Sequence, residues 1–128
     1  MIEAAIVSLL EGDAAVAAMV GTRIYPAAIP QGEPAPSIAY WRVSTGRRLR
    51  YDAPDGTSSA RYQLDMQASD YTAARALAAA VRHALNGYRG SVAGEQIHHI
   101  SLPNEQDIFD RDVGAHRVAL DVIIAHEE

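Results

Sequence analysis

The chain has 128 residues, no cysteine and a formal net charge of -5 at pH 7. This length suits one domain, which we expect to span residues 1–128, and the lack of thiols excludes a disulfide framework, a thiolate zinc site and a cysteine nucleophile. The net negative charge argues against nucleic-acid binding over the whole surface, because such binding needs clustered positive charge.

The first residues predict two short helices. Apolar residues recur at helical spacing over 2–10, and Gly12 is placed to end that helix. Asp13 is a candidate N-cap for the next helix, which Gly21 would end. Acidic residues inside this apolar opening, with no basic leader, favour native structure over a signal peptide.

An extended piece, a loop and a strand follow these helices. TRIYP runs into a proline, which favours extended backbone, and three prolines predict a loop over 27–36. The segment SIAYWRVS, residues 37–44, is rich in β-branched and aromatic residues and predicts a strand. We expect Tyr40 and Trp41 to pack within the sheet.

A strand passes almost directly into a long helix between residues 61 and 88. Apolar and polar residues alternate over 61–68, which predicts a half-buried strand. Ser69 or Asp70 can cap the helix that follows, and Asn86 with Gly87 would end it. The predicted apolar stripe of this helix consists of Ala74, Leu77, Ala78, Val81, Ala84 and Leu85.

The remaining residues predict two more strands. IHHISL reads as a strand, NEQDIFDRDVG as a short continuation and an acidic turn over 105–112, and HRVALDVIIA as the last strand. The whole order predicts an α+β fold with a mostly antiparallel or mixed sheet of four to five strands and helices packed on one face.

No residue pattern here is typical of an enzyme. His98 and His99 are neighbours on a predicted strand and would point to opposite faces, and Asp107, Asp110 and Asp112 are expected to be solvated. Neither a phosphate-binding glycine loop nor a nucleophile elbow occurs. We therefore expect no catalytic activity, metal or cofactor; a small metal-dependent hydrolase that uses these histidines and aspartates is the alternative hypothesis.

A basic segment offers candidate binding residues. Pro54 and Gly56 predict a projecting loop over 46–60 between two strands. Arginine forks suit carboxylate or phosphate partners, so a protein-binding loop, a solvated hairpin tip and a DNA-binding module are all compatible with it. The candidate protein-interaction residues are Arg47, Arg48, Arg50, Tyr51, Asp52 and Asp55 in this loop, and Asp107 and Asp110 in the acidic turn.

Four segments in order resemble one known family. They are VGTRIYP, PSIAYWRVS, RYQLDMQASDYTAARALAAAVRHALNGY and the closing D-x-x-x-G-x-H-R-x-x-L-D-V-x-I, and together they cover nearly the whole chain. This order is similar to the tail completion or tail terminator proteins of long-tailed bacteriophages, whose relatives occur in prophages and gene transfer agents.

The resemblance implies a structural protein and supplies no catalytic residue. It implies a ring, usually of six copies, on the last ring of the tail tube, which stops tube growth and takes part in head-tail joining. The implied partners are further copies of the chain, the major tail tube protein and a head-completion or stopper protein. The resemblance implies no membrane and no specific nucleic-acid contact, with a ring through which DNA can pass. The implied location is the head-proximal end of the virion tail, after synthesis in the host cytoplasm.

Overall fold

The computed structural model describes residues 2–32, 34–49, 54–111 and 114–127. In chain order the elements are α1 (Ile2–Glu11), α2 (Ala14–Val20), β1 (Ile24–Pro26), β2 (Ser37–Leu49), β3 (Pro54–Ala68), α3 (Tyr71–Leu85), β4 (Gly90–Val92), β5 (Glu95–Asp110) and β6 (Ala115–Glu127). None of the helices in these ranges is long and apolar enough to cross a membrane.

The strands form one mixed sheet in the order β1-β2-β3-β6-β5-β4. β1 pairs with β2 in parallel, and every other described pair is antiparallel. The α+β prediction is confirmed, but the described residues form six strands, where four to five were predicted. The strand count was low because β4 has only three residues beside a turn, too few to show a period of two.

The core lies between the helices and one face of the central strands. β3 and β6 pair with Tyr62 opposite Val122 and Leu64 opposite Leu120, and these four side chains are buried. They join one apolar cluster with α3, whose predicted stripe is buried at Ala74, Leu77, Ala78, Val81 and Leu85 and partly buried at Ala84. α1 and α2 add Ile6, Leu10 and Val16 to the same cluster.

Side-chain caps fix where two helices begin. The carboxylate of Asp70 accepts a hydrogen bond from the backbone N–H of Ala73 at 2.7 Å, and that of Asp13 accepts from the N–H of Val16 at 3.1 Å. These bonds satisfy amide groups that the first helical turn leaves unpaired. Of the two candidates at the start of α3, the structure selects Asp70. Past its end, Gly87 adopts a φ of 75°, which favours glycine.

The described parts of the predicted loop over 46–60 belong instead to two long strands. Residues 46–49 extend β2 and residues 54–60 begin β3, with Gly46 paired to Ser59 and Arg47 to Ser58. The prediction of a projecting loop over these residues is therefore wrong. Pro54 is the first residue of β3, a position at which strands tolerate proline, and β6 pairs with β3 as far as Thr57.

The prediction of an acidic turn over 105–112 is also wrong for most of its length. Residues 105–110 belong to β5, in which Asp107 pairs with Val118 of β6. The partner strand supplies regular hydrogen bonds that the local turn-like composition does not reveal. Arg111 and Gly114 are in turn conformation, whereas Asp112 lies outside the described residues.

The cap of α3 gives a direct stability test. We expect Asp70→Ala to lower the free energy of unfolding by about 1 kcal/mol, because an N–H of the first turn loses its acceptor. Ser69→Ala is the matched control, since Ser69 is exposed and adjacent but is not the N-cap. Urea denaturation of both variants measures the difference; equal losses would contradict the assignment of the cap.

Candidate functional site

The sheet face opposite the core carries two crossed ion pairs between β3 and β6. Arg117 meets Asp65 through two contacts, Nη2 to Oδ2 at 3.0 Å and Nε to Oδ1 at 3.2 Å. Arg61 lies 3.7 Å from Asp121. Both strands carry the pattern R-x-x-x-D, at residues 61–65 and 117–121. Because the strands run antiparallel, the arginine of each lies diagonally across from the aspartate of the other.

Asp65 is a buried carboxylate on this face. It lies in one row with Ala39 of β2 and Ala119 of β6, and all three residues are buried. Burial raises the pKa of Asp65 above its ordinary value, while the charge of Arg117 and its hydrogen bonds act in the opposite direction. The ionised form of Asp65 therefore depends on Arg117.

A second group of charges joins α3 to β5. The guanidinium of Arg75 contacts the carboxylates of Glu105 and Asp107, the latter at 3.0 Å. Arg82 reaches the other oxygen of Glu105 at 3.1 Å. Hydrogen bonding to Glu105 is the main reason that the pKa of Arg75 lies above its ordinary value. These contacts fix the helix against the outer part of β5.

Aromatic side chains lie next to this group, where β5 and β6 meet the start of α3. The hydroxyl of Tyr71 donates to Asp107 at 2.9 Å. The ring of His116 lies 4.7 Å from that of Phe109 and 6.1 Å from that of Tyr71, measured between centroids. Phe109 and Tyr71 are both about half exposed. A groove of about 320 Å³ runs between these side chains, Ile108 and Arg117.

A third polar cluster ties α1 to the sheet. Arg42 of β2 donates to the hydroxyl of Tyr62 through Nη2 at 2.7 Å and Nε at 3.0 Å, and its Nη2 lies 3.3 Å from the carboxylate of Glu3. Burial, together with the interactions with Glu3, raises the pKa of Tyr62 to about 12, although the hydrogen bonds and charge of Arg42 act in the opposite direction. The phenol thus stays protonated where an ordinary tyrosine would ionise.

Two stretches of the sheet edge have a strand on one side only, as far as the structure is described. β1 pairs with residues 38–40 of β2, and β4 pairs with residues 95–97 of β5. The remaining parts of these strands, 41–49 and 98–110, pair inward with β3 and β6. Unpaired strand edges are natural templates for another strand.

The predicted interaction residues that the structure describes lie on three strands of the sheet. The backbones of Arg47 and Arg48 lie in β2, and that of Asp55 lies in β3. Arg50, Tyr51 and Asp52 lie outside the described residues. Asp107 and Asp110 lie on β5, and Asp107 is engaged by Arg75 and Tyr71. The DNA-binding hypothesis, which uses the arginines of this hairpin, stays a prediction.

The described histidines and Asp107 of the hydrolase hypothesis do not converge. His99 and Asp107 are eight residues apart on the same strand, which separates them by about 26 Å. His98 lies 3.8 Å from Glu127 at the other end of the sheet. Among the described residues, no group of three or more His, Asp or Glu side chains could hold a metal ion.

Sequence reasoning missed the ion pairs, although their signals are present. The repeated R-x-x-x-D pattern points to paired charges once β3 is known to lie beside β6. Arg75 and Arg82 are seven residues apart, two helical turns, and so share a face of α3. Tyr40 packs against the core as expected, and Trp41 is partly buried on the opposite face.

Comparison with known proteins identifies one family. The model of the family described as tail completion protein gp17 matches residues 4–127. A solved structure described as "Virion of native gene transfer agent (GTA) particle" contains a chain with 21% sequence identity and a TM-score of 0.83. The alignment covers 99% of this chain and 95% of that one, and at this identity it shows a shared fold. No curated protein matches the chain.

The buried carboxylate predicts an asymmetry between two substitutions. Arg117→Met should lower the free energy of unfolding at pH 7 by about 2 kcal/mol, because it leaves the ionised Asp65 buried without that cation. It should also raise the pKa of Asp65 further, so that stability falls more steeply than in the wild type as pH rises from 4 to 7. Urea denaturation across this range measures both effects.

Two control variants complete this test. Arg89→Met removes an exposed arginine and should change stability by less than about 0.5 kcal/mol. Asp65→Asn added to Arg117→Met should remove the extra pH dependence. If Arg117→Met followed the same pH profile as the wild type, the ion pair would not control the charge of Asp65.

Tyr62 predicts a second pH effect. Its pKa is raised in the folded state, so the stability that it contributes is complete below pH 10 and is lost as pH rises from 10 to about 12. Subtracting the phenolate absorbance of Tyr62→Phe from that of the wild type should reveal one group with a midpoint of about 12. Tyr88→Phe controls for the loss of one phenol. A midpoint of about 10, the ordinary value, would contradict the buried cluster.

Proposed function

Because the chain belongs to the tail completion protein gp17 family, we propose that it caps the tail tube of a phage-like particle as a ring. The ring ends polymerisation of the tube and forms part of the head-tail joining interface. The observation that carries this proposal is the family match over residues 4–127, which includes nearly every helix and strand of the fold.

The fold suits a part that is repeated around an axis. A ring of identical subunits needs two different surfaces on each copy, because every interface joins one surface to another and closes by rotation. Among the described residues, the sheet leaves two different stretches of edge open beyond the short outer strands β1 and β4, one on β2 and one on β5. The core and the ion pairs on the other sheet face hold these edges at a fixed separation within a copy.

The proposed partners follow from the position of a cap. The ring, which we propose to be hexameric, contacts the major tail tube protein on one side and a head-completion or stopper protein on the other. It acts without a cofactor, a membrane contact or sequence-specific nucleic-acid binding, although DNA passes through its centre during delivery. The chain is synthesised in the host cytoplasm and ends at the head-proximal end of the virion tail.

Protein contacts of the ring, between its copies and with these partners, use the residues singled out from the sequence. We assign protein contacts to the β2–β3 hairpin, with Arg47, Arg48, Arg50, Tyr51, Asp52 and Asp55, and to Asp107 and Asp110 of β5. Arginine and aromatic side chains are enriched at protein interfaces. The similarity to a chain of a gene transfer agent virion supports a fold that is suited to such a particle.

Polymerisation of the matching tail tube protein tests the function directly. Tubes assembled with increasing amounts of the purified chain should become shorter in electron micrographs. A gold-labelled chain should lie at one tube end, and the effect should saturate at about six copies per tube, the count of one closed ring. An unrelated acidic protein of similar size is the control. Tubes of unchanged length without label at their ends would reject the proposed function.

A further inference from the structure

The two open edges each contain one regular stretch bounded by an irregularity. In β2 the register shifts at Val43, pairing is regular from Ser44 to Arg47, and the register shifts again between Arg47 and Leu49. In β5 the register shifts between Ser101 and Asn104, around Pro103. We name residues 44–49 the β2 edge segment and residues 104–110 the β5 edge segment. They have similar lengths, and each has a partner strand on one side only among the described residues.

We propose that the β2 edge segment of one copy pairs, antiparallel, with the β5 edge segment of the next copy, so that one sheet continues around the ring. This inference rests on the proposed function for the existence of a ring. It adds which surfaces join the copies, and it makes main-chain hydrogen bonds the basis of the contact.

The strand directions allow this pairing. β3 is antiparallel to β2, β6 to β3 and β5 to β6, so β2 and β5 run in opposite directions within one copy. A neighbour placed alongside in the same orientation would therefore set its β2 antiparallel to β5. This is the commoner kind of strand pair, and its hydrogen bonds lie perpendicular to the strands.

The short outer strands define where the neighbour fits. β1 covers β2 at the end near Ile38, and β4 covers β5 at the end near Ile97. These are opposite ends of the sheet. Ile38 pairs with Met66 near the end of β3, whereas Ile97 pairs with His126, which pairs with Ser58 near the start of β3. Each free segment thus begins beyond a short strand that would stop a neighbour from sliding further.

The free segments are also offset along the strands. Gly46 of the β2 edge segment pairs with Ser59 of β3. Asp107 of the β5 edge segment pairs with Val118 of β6, which in turn pairs with Met66 of β3. Seven residues of β3 separate Ser59 from Met66, about 23 Å. Neighbours joined through these segments are therefore staggered, and closed sheets have this property because their strands tilt relative to the axis.

Charge and exposed apolar surface identify a second copy as the occupant. The β2 edge segment carries Arg47 and Arg48, whereas the β5 edge segment carries Glu105, Asp107 and Asp110. Arg75 and Arg82 of α3 pair with Glu105 and Asp107, and the formal charges of the two segments themselves are +2 for 44–49 and -3 for 104–110. The two edges therefore attract each other, and one chain supplies both.

The exposed large apolar side chains lie along the same edges. Within the described residues they are Val43, beside the β2 edge segment, Phe109, within the β5 edge segment, and Tyr71, which contacts Asp107. Pairing of the two segments would remove apolar surface of Val43 and Phe109 from water. A second copy of the chain, bound as the neighbour, therefore accounts for both the charged and the exposed apolar side chains of these edges.

Disulfide trapping tests this interface, because the natural chain has no cysteine. Ser44→Cys and Gly46→Cys place thiols on the β2 side; Asn104→Cys and Gln106→Cys place them on the β5 side. All four positions are exposed and share the sheet face without helices. A side chain at Gly46 would meet only an ordinary contact at 3.9 Å.

Each β2 variant is mixed with each β5 variant, with tail tube protein present, and oxidised. We expect at least one mixture to yield about ten times more disulfide-linked dimer than the mixtures with Ala79→Cys, which places a thiol on the exposed side of α3. Bridges need Cα atoms about 4.4–6.8 Å apart. A β2 variant oxidised alone should not exceed this control, because the proposed interface joins two different edges.

Tube capping by the same samples separates the claim of edge pairing from the claim of the proposed function. Capped tubes with the cross-edge dimer support both claims, whereas capped tubes without that dimer overturn the edge pairing alone. The dimer without capping rejects the proposed function and retains the interface. Absence of both overturns both. A dimer of two β2 variants at equal yield would show a symmetric contact and also overturn the proposal.

Discussion

The antiparallel pairing of β3 with β6, from Thr57 opposite Glu127 to Ala68 opposite His116, is the constraint on which the rest of the structure depends. Side chains alternate between the faces of a strand, so a slip of one residue would exchange the two faces completely. In the observed register Tyr62, Leu64 and their partners on β6 all join the apolar cluster that contains the buried side chains of the helices. The same register brings both R-x-x-x-D patterns into contact on the other face.

Both faces of the central strands make contacts within the chain, so the edges of the sheet are the candidate surfaces for assembly. One face of the central strands is covered by helices, and its apolar side chains are buried. The other carries side chains that pair with each other, as Arg117 does with Asp65. Protein surfaces that act in assembly need exposed groups that gain from a partner, and the open edges of β2 and β5 supply both backbone groups and exposed apolar side chains. A structural role in a tail thus agrees with the distribution of apolar, charged and exposed groups between the faces and the edges of the sheet.

Much of the scaffold could be predicted from local sequence patterns. The change from alternation to helical spacing near Asp70 gave β3 and α3, because both signals depend on residues a few positions apart. The outer halves of β2 and β5 could not be predicted in this way. Gly56 and the polar residues after Asn104 resemble turns locally, yet each segment is held by pairing with the next strand, as Arg47 with Ser58 and Asp107 with Val118, beyond the few positions that a local pattern covers. The same reason hid the ion pair of Asp65 with Arg117, 52 residues apart.

The proposed ring joins its copies at the edges of the sheet, and electron cryomicroscopy of capped tail tubes tests this edge pairing most directly. We predict a closed ring at one tube end, in which density for β2 of each copy lies about 4.8 Å from β5 of its neighbour, the spacing of paired strands. A ring whose copies touch through α1 to α3, with the edges of β2 and β5 facing solvent, would contradict the account.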